Sequence, residues 1–192
     1  MKKKMMTKND VKKLYHITLG TPTELTPRVP KNRLKEEDGI TPRICVCSSI
    51  ADCFKGAYWT VGYYEKWKYD GQDRELVRVL EFDIDCIGKE NIIDNKYIVD
   101  NNLVPDAFDT NEFWIINKTV KPSAIYYIYP GAMDYAYLID HSCIGIELYS
   151  YIKIKEGAIS KKTISKHNGV LYPWELEIQE HQTEKITIDP TL

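Results

Sequence analysis

Three groups of residues, far apart in the chain, carry side chains able to do chemistry: His16, the pair Ser48 and Ser49, and Glu112. Glu112 stands apart because of its neighbours. It directly precedes the apolar run Phe113-Trp114-Ile115-Ile116, and a Val-Lys-Pro turn follows at 120–122. A carboxylate at the mouth of a strand that wants to be buried is desolvated, and its charge is penalised unless a ligand or a hydrogen-bond donor meets it. Each group also has a plainer reading. A histidine in an apolar strand packs, two serines before a helix cap it, and an acid at a strand edge faces water.

Motifs that announce the common enzyme classes are missing. The chain contains no GxxxxGK[ST] phosphate loop, no GxGxxG dinucleotide turn, no HExxH and no GxSxG elbow. Five cysteines (45, 47, 53, 86 and 143) are an odd number at irregular spacing. They argue against a disulfide framework and for a reducing compartment. Cys45 and Cys47 on a strand face one way with no second pair to complete a zinc site, so they read as small buried hydrophobes, with no metal expected.

The elements that must position these groups are mostly short strands. Lys13 to Thr18 alternates and is rich in β-formers, and Gly20, Pro22, Pro27 and Pro30 then break the chain into a long connection. Arg43 to Cys47 is a second strand feeding a short helix, capped by Ser48 or Ser49 and stopped by Gly56. Leu76 to Ile84 is a third strand. Residues 86 to 110 read as loop with a short helix, and the run after Glu112 is the next strand. Ser123 to Tyr129 and Ile144 to Ile154 are again β-rich, and the polar tail 156–192 has strand-like patches at 176–178 and 186–188. The fold class is α+β.

With 192 residues, 43% hydrophobic, 28% charged and a net charge of -2, the chain reads as one globular domain over 1–192, with no general pull toward nucleic acid or anionic membrane. Residues 1–12 are basic, but no apolar segment follows as a secretory signal requires, so they read as a flexible start and 156–192 as a C-terminal extension. No apolar run reaches the length of a membrane helix. A cytoplasmic protein with no membrane partner is expected.

Several of these stretches together resemble the ADP-ribosyltransferase-like fold. They are Tyr15-His16 opening the first strand, Pro42-Arg43-Ile44-Cys45-Val46 leading into Ser48-Ser49 and a short helix, and Asn111-Glu112-Phe113-Trp114 followed by a Val-x-Pro turn and Ile125. The acid-strand-turn element is similar to that of DarT-type DNA ADP-ribosyltransferases. The Tyr-His opening and compact length resemble phage-borne anti-CRISPR ADP-ribosyltransferases. The resemblance covers residues 14 to about 130 as an order of elements.

It implies a split β-sheet core with short helices, NAD as substrate, and three strands facing one cleft. It implies that His16, with Tyr15 beside it, hydrogen-bonds an NAD ribose, that Ser48 and Ser49 steady the nicotinamide-ribose side, and that Glu112 binds the ribose 2'-hydroxyl. Breaking the nicotinamide glycosidic bond builds positive charge on the ribose, and a fixed carboxylate favours that oxocarbenium-like state. Tyr58, Tyr63 or Tyr64 would stack on a flat base. Arg28 and Arg43 each have two readings: bidentate clamps for a pyrophosphate, or partners for the acids Glu36 to Asp38. The chain departs from the family at position 110, where Thr110 replaces the first acid of a Glu-x-Glu, and this speaks against arginine as the acceptor.

The leading expectation is therefore an NAD-dependent mono-ADP-ribosyltransferase acting on a protein or nucleic acid, as a phage or mobile-element effector, toxin or anti-defence protein. Two others stand beside it: a non-catalytic module that holds an NAD-derived ligand, and an RNA-binding or RNA-modifying protein suggested by the aromatics and terminal lysines.

Overall fold

The computed structural model describes residues 5–31, 35–57, 59–62, 76–139, 144–159 and 183–188. Among the described residues, eight strands form one antiparallel sheet: β1 (Lys13–Thr18), β2 (Ile44–Cys47), β3 (Val77–Asp83), β4 (Ile92–Ile93), β5 (Glu112–Ile115), β6 (Ala124–Ile139), β7 (Ile144–Lys155) and β8 (Thr183–Thr187). Their spatial order is β4-β5-β2-β1-β3-β6-β7-β8. The short helices used below are α1 (Ile50–Gly56), α2 (Ile84–Ile87), α3 (Asn95–Asp100) and α4 (Ala107–Thr110). The α+β class follows directly. Among the described residues the expected split is not seen: β1 and β3 pair over six residues, from Lys13 with Asp83 to Thr18 with Arg78, and the eight strands share one sheet.

Residues paired directly across antiparallel strands point to the same face. One face packs Ile17, Cys47, Val77, Val79 and Ile128 against Ile50, Cys53 and Phe54 of α1, and Trp114 against Ile98, Val104 and Ala107. This is the helical face. The other face carries Leu14, Val46, Leu80, Phe82, Phe113 and Ile115, covered by Leu25 from the β1–β2 connection and Val120 from the segment after β5. Because both faces are covered, β3 has no clean alternation. All of Val77 to Phe82 are buried, so its polar members must find partners. Arg78 donates to the Pro22 carbonyl at 2.8 Å, and Glu81 takes Lys13 Nζ at 2.6 Å and the Tyr126 hydroxyl at 3.3 Å.

β5 is a rigid post. Phe113, Trp114 and Ile115 are fully buried, and each such side chain contributes roughly 1.5–3 kcal/mol of transfer free energy. Helix α1 is fixed at both ends. Ser49 caps it by accepting from the Asp52 amide at 3.1 Å, and its far end lies against β7 at Gly145. A Cβ there would sit 2.0 Å from the Lys55 carbonyl oxygen, so only glycine permits the approach.

Both ends of the described chain are tied to the body of the fold. Within the stretch 1–12 that the sequence reads as a flexible start, the Lys96 amide donates to the Met6 carbonyl at 3.0 Å, the Ile84 amide to the Lys12 carbonyl at 3.0 Å, and Met6 packs on the core. In the tail, β8 adds an edge strand on β7 from Ser150–Thr187 to Ile154–Thr183, while the patch at 176–178 lies outside the described residues. Among the described residues, no helix is long and apolar enough to cross a membrane.

Candidate functional site around Glu112

Helix α4 ends at Asn111, whose φ of 47° is left-handed, a conformation asparagine tolerates better than most residues. The reversal at Asn111 delivers Glu112 as the first residue of β5. Glu112 pairs with Cys47, Cys47 pairs with Tyr15, and Tyr15 pairs with Glu81. A row of four residues thus crosses β5, β2, β1 and β3 on the helical face. β5 and β1 are two strands apart, so Glu112 and Tyr15 are separated by about 10 Å at the backbone.

Trp114, two residues on and therefore on the same face, donates its indole Nε1–H to Glu112 Oε1 at 2.6 Å. Cys45, paired with Trp114 across the strands, lies beside the same carboxylate and favours its charged form. The Arg43 guanidinium lies 4.2 Å from the centroid of the Trp114 ring. Burial pushes the Glu112 pKa up to about 7; Trp114 and Cys45 oppose that rise, and the charges of Asp106 and Glu37 add to it. Asp106 is raised to about 6, again by burial first. Glu112 is therefore a carboxyl group poised to change charge near neutrality.

The sequence-predicted residues divide. Glu112 and Tyr15 share one face and one row. Tyr15 is itself pushed up to about 12, by burial and then by the Glu81 charge. Ser48 and Ser49 follow directly on Cys47, but both hydroxyls donate to Asp52 Oδ2, at 3.0 and 2.7 Å, so their first role is the α1 cap.

His16 is not brought to Glu112. It pairs with Leu80 and so projects from the opposite face, where its Nδ1–H donates to the Cys45 carbonyl at 2.9 Å. Burial lowers its pKa, and the nearby charge of Arg28 lowers it further, so it stands neutral. Arg28 accompanies His16 rather than Glu112; its backbone pairs with Arg43 in both directions, at 3.2 and 3.0 Å.

Arg43 is 2% exposed and committed: it pairs with Glu37, and it donates to the Asp38 and Thr41 carbonyls at 3.0 and 3.1 Å. The pairing with neighbouring acids, not a pyrophosphate clamp, is what its side chain makes. Tyr58, Tyr63 and Tyr64 lie outside the described residues.

Trp114, Cys45 and Asp106 were missed as site members. The signal for Trp114 was present, because an acid and a donor spaced i and i+2 on a strand share a face. Asp106 is distant by spacing and near only through the α4 turn. Among the described residues, no cluster of three or more His, Cys, Asp or Glu is arranged to hold a metal ion. A hollow at the sheet edge is lined by Lys8, Ile92, Ile93, Asp94 and Tyr97, none of which is a sequence-predicted site residue. No family model, curated protein or solved structure matches the chain.

Proposed function

We propose that the chain is an NAD-dependent mono-ADP-ribosyltransferase of ADP-ribosyltransferase-like fold, with Glu112 as the carboxylate that holds the nicotinamide-ribose 2'-hydroxyl. The observation that carries the reading is Glu112 itself: a carboxyl fixed by Trp114 at the mouth of a buried strand. A carboxylate held in place before substrate arrives needs little reorganisation to favour positive charge developing on a ribose.

Two further features support it. The three strands that the resemblance brings to one cleft, the first, the second and the acid-bearing one, are neighbours in the order β5-β2-β1. Tyr15, on Glu112's face, can supply the β1 contribution that sequence assigned to His16. In the reaction the ribose C1'–nicotinamide bond breaks and nicotinamide leaves with the electron pair. A macromolecular nucleophile then bonds to C1' and gives up its proton. Thr110 is fully buried and its hydroxyl donates to the Asp106 carbonyl at 3.1 Å, so it has no part in choosing the acceptor.

The test is nicotinamide release from NAD, followed by chromatography. Release by the native chain that falls about 100-fold or more in Glu112→Gln supports the reading. Tight binding of NAD recovered intact would replace it with a binding module.

A further inference from the structure

We infer that Trp114 and Arg43 are positioning residues for Glu112, a relay by which the loop at 37–41 sets the orientation of the carboxylate. This rests on the proposed role of Glu112, and the tests below separate the two.

A buried indole N–H needs an acceptor, and the backbone of β5 is occupied by its ladder with β2 and β4. Glu112 Oε1, one pleat back on the same face, is that acceptor at 2.6 Å. The ring cannot swing away. One side meets Ile98, Val104 and Ala107, and the Arg43 guanidinium lies 4.2 Å from its centroid. Arg43 is in turn immobilised by Glu37, by the Asp38 and Thr41 carbonyls, and by a longer contact of 3.4 Å with Asp38 Oδ1. Asp38 is fixed to its own loop by the Ile40 and Thr41 amides at 3.0 and 2.7 Å. A chain of contacts therefore runs from loop to guanidinium to indole to carboxylate.

The arrangement is more than packing requires. A phenylalanine would fill much of the Trp114 site without holding an oxygen, and a methionine would fill much of the Arg43 site without placing a charge over the indole. The charged and titratable groups acting on Glu112 are Cys45 from β2, Asp106 from the segment before α4, and Glu37 from the loop; Arg43, just before β2, acts on Cys45 beside it. Trp114 donates to the carboxylate at 2.6 Å.

The first test needs no activity. In the native chain labelled with 15N-tryptophan, the Trp114 indole resonance, assigned by its loss in Trp114→Phe, should titrate with a midpoint of about 7 and cease to titrate in Glu112→Gln. The second test is the pH profile of nicotinamide release. Trp114→Phe removes a donor to the charged carboxylate, so its midpoint should move to higher pH by about one unit, with kcat falling about tenfold or more and KM little changed. Arg43→Lys keeps the charge and loses the planar stack, so it should move the profile the same way by less.

An indole resonance indifferent to pH between 5 and 9 overturns the inference, and so does a Trp114→Phe profile superimposable on that of the native chain. If the indole titrates while the native chain releases no nicotinamide, the coupling stands and the NAD reading alone is lost.

Discussion

Glu112 and Tyr15 both pair directly with Cys47, one from each side, so an acid from β5 and a phenol from β1 stand in one row across the helical face. His16, the neighbour of Tyr15 in sequence, projects the other way because strand side chains alternate. The site is thus organised by register. A slip of one residue in β1 would exchange the two side chains and bring the imidazole to Glu112.

Glu112 should make the protein less stable as pH rises. Burial raises its folded pKa from 4.5 to about 7, so its contribution is fully present below about 4.5 and lost as pH climbs through 7. The full shift corresponds to at most about 3 kcal/mol. Glu112→Gln keeps an acceptor for the Trp114 N–H and removes the titration. Urea unfolding between pH 5 and 8 should show the variant gaining on the native chain by about 1–3 kcal/mol toward the alkaline end. Parallel curves would refute the burial of this charge.

His16 should matter to stability more than to catalysis. Its Nδ1–H satisfies the Cys45 carbonyl on the face away from Glu112. His16→Ala should cost about 1–3 kcal/mol in denaturant unfolding while leaving nicotinamide release within about tenfold of native. A His16→Ala chain as inactive as Glu112→Gln, yet folded, would return the imidazole to the reaction.

Gly145→Ala should loosen α1 from β7. The added Cβ would lie 2.0 Å from the Lys55 carbonyl oxygen and 2.6 Å from that of Phe54, and neither backbone atom can step aside without moving the helix. The expected cost is at least about 2 kcal/mol, with faster amide exchange along α1. A change within about 0.5 kcal/mol would mean that the helix adjusts freely.

Much of the fold was legible because the signals were local. The alternation of Lys13 to Thr18, the Ser49 cap with its Gly56 stop, and the apolar run after Glu112 each specify their own element. The length of β6 was not legible: the β-rich run at 123–129 continues to Ile139, through register shifts between Tyr129 and Asp134. The two-residue β4 and the helix α3 in the mixed stretch 86–110 owe their place to tertiary contacts, with Asn95 donating to the Ala107 carbonyl at 2.6 Å. For the site, the importance of Glu112 was visible in its neighbours. The face on which His16 sits was not used, although the alternation that separates it from Tyr15 was already apparent. Arg43's commitment to Glu37 and Asp38 was visible only as one of two readings, because nothing in the spacing says how the 37–41 loop closes.

The account stands or falls on what becomes of the ADP-ribose. The native chain, incubated with NAD labelled in its adenylate phosphate and a cell lysate, should attach label to a protein or nucleic acid as nicotinamide is released. The same incubation with Glu112→Gln, shown to be folded, should leave the macromolecules unlabelled. Equal labelling by the variant, or none by the native chain in lysates of varied origin, would contradict the assignment of Glu112 to ADP-ribosyl transfer.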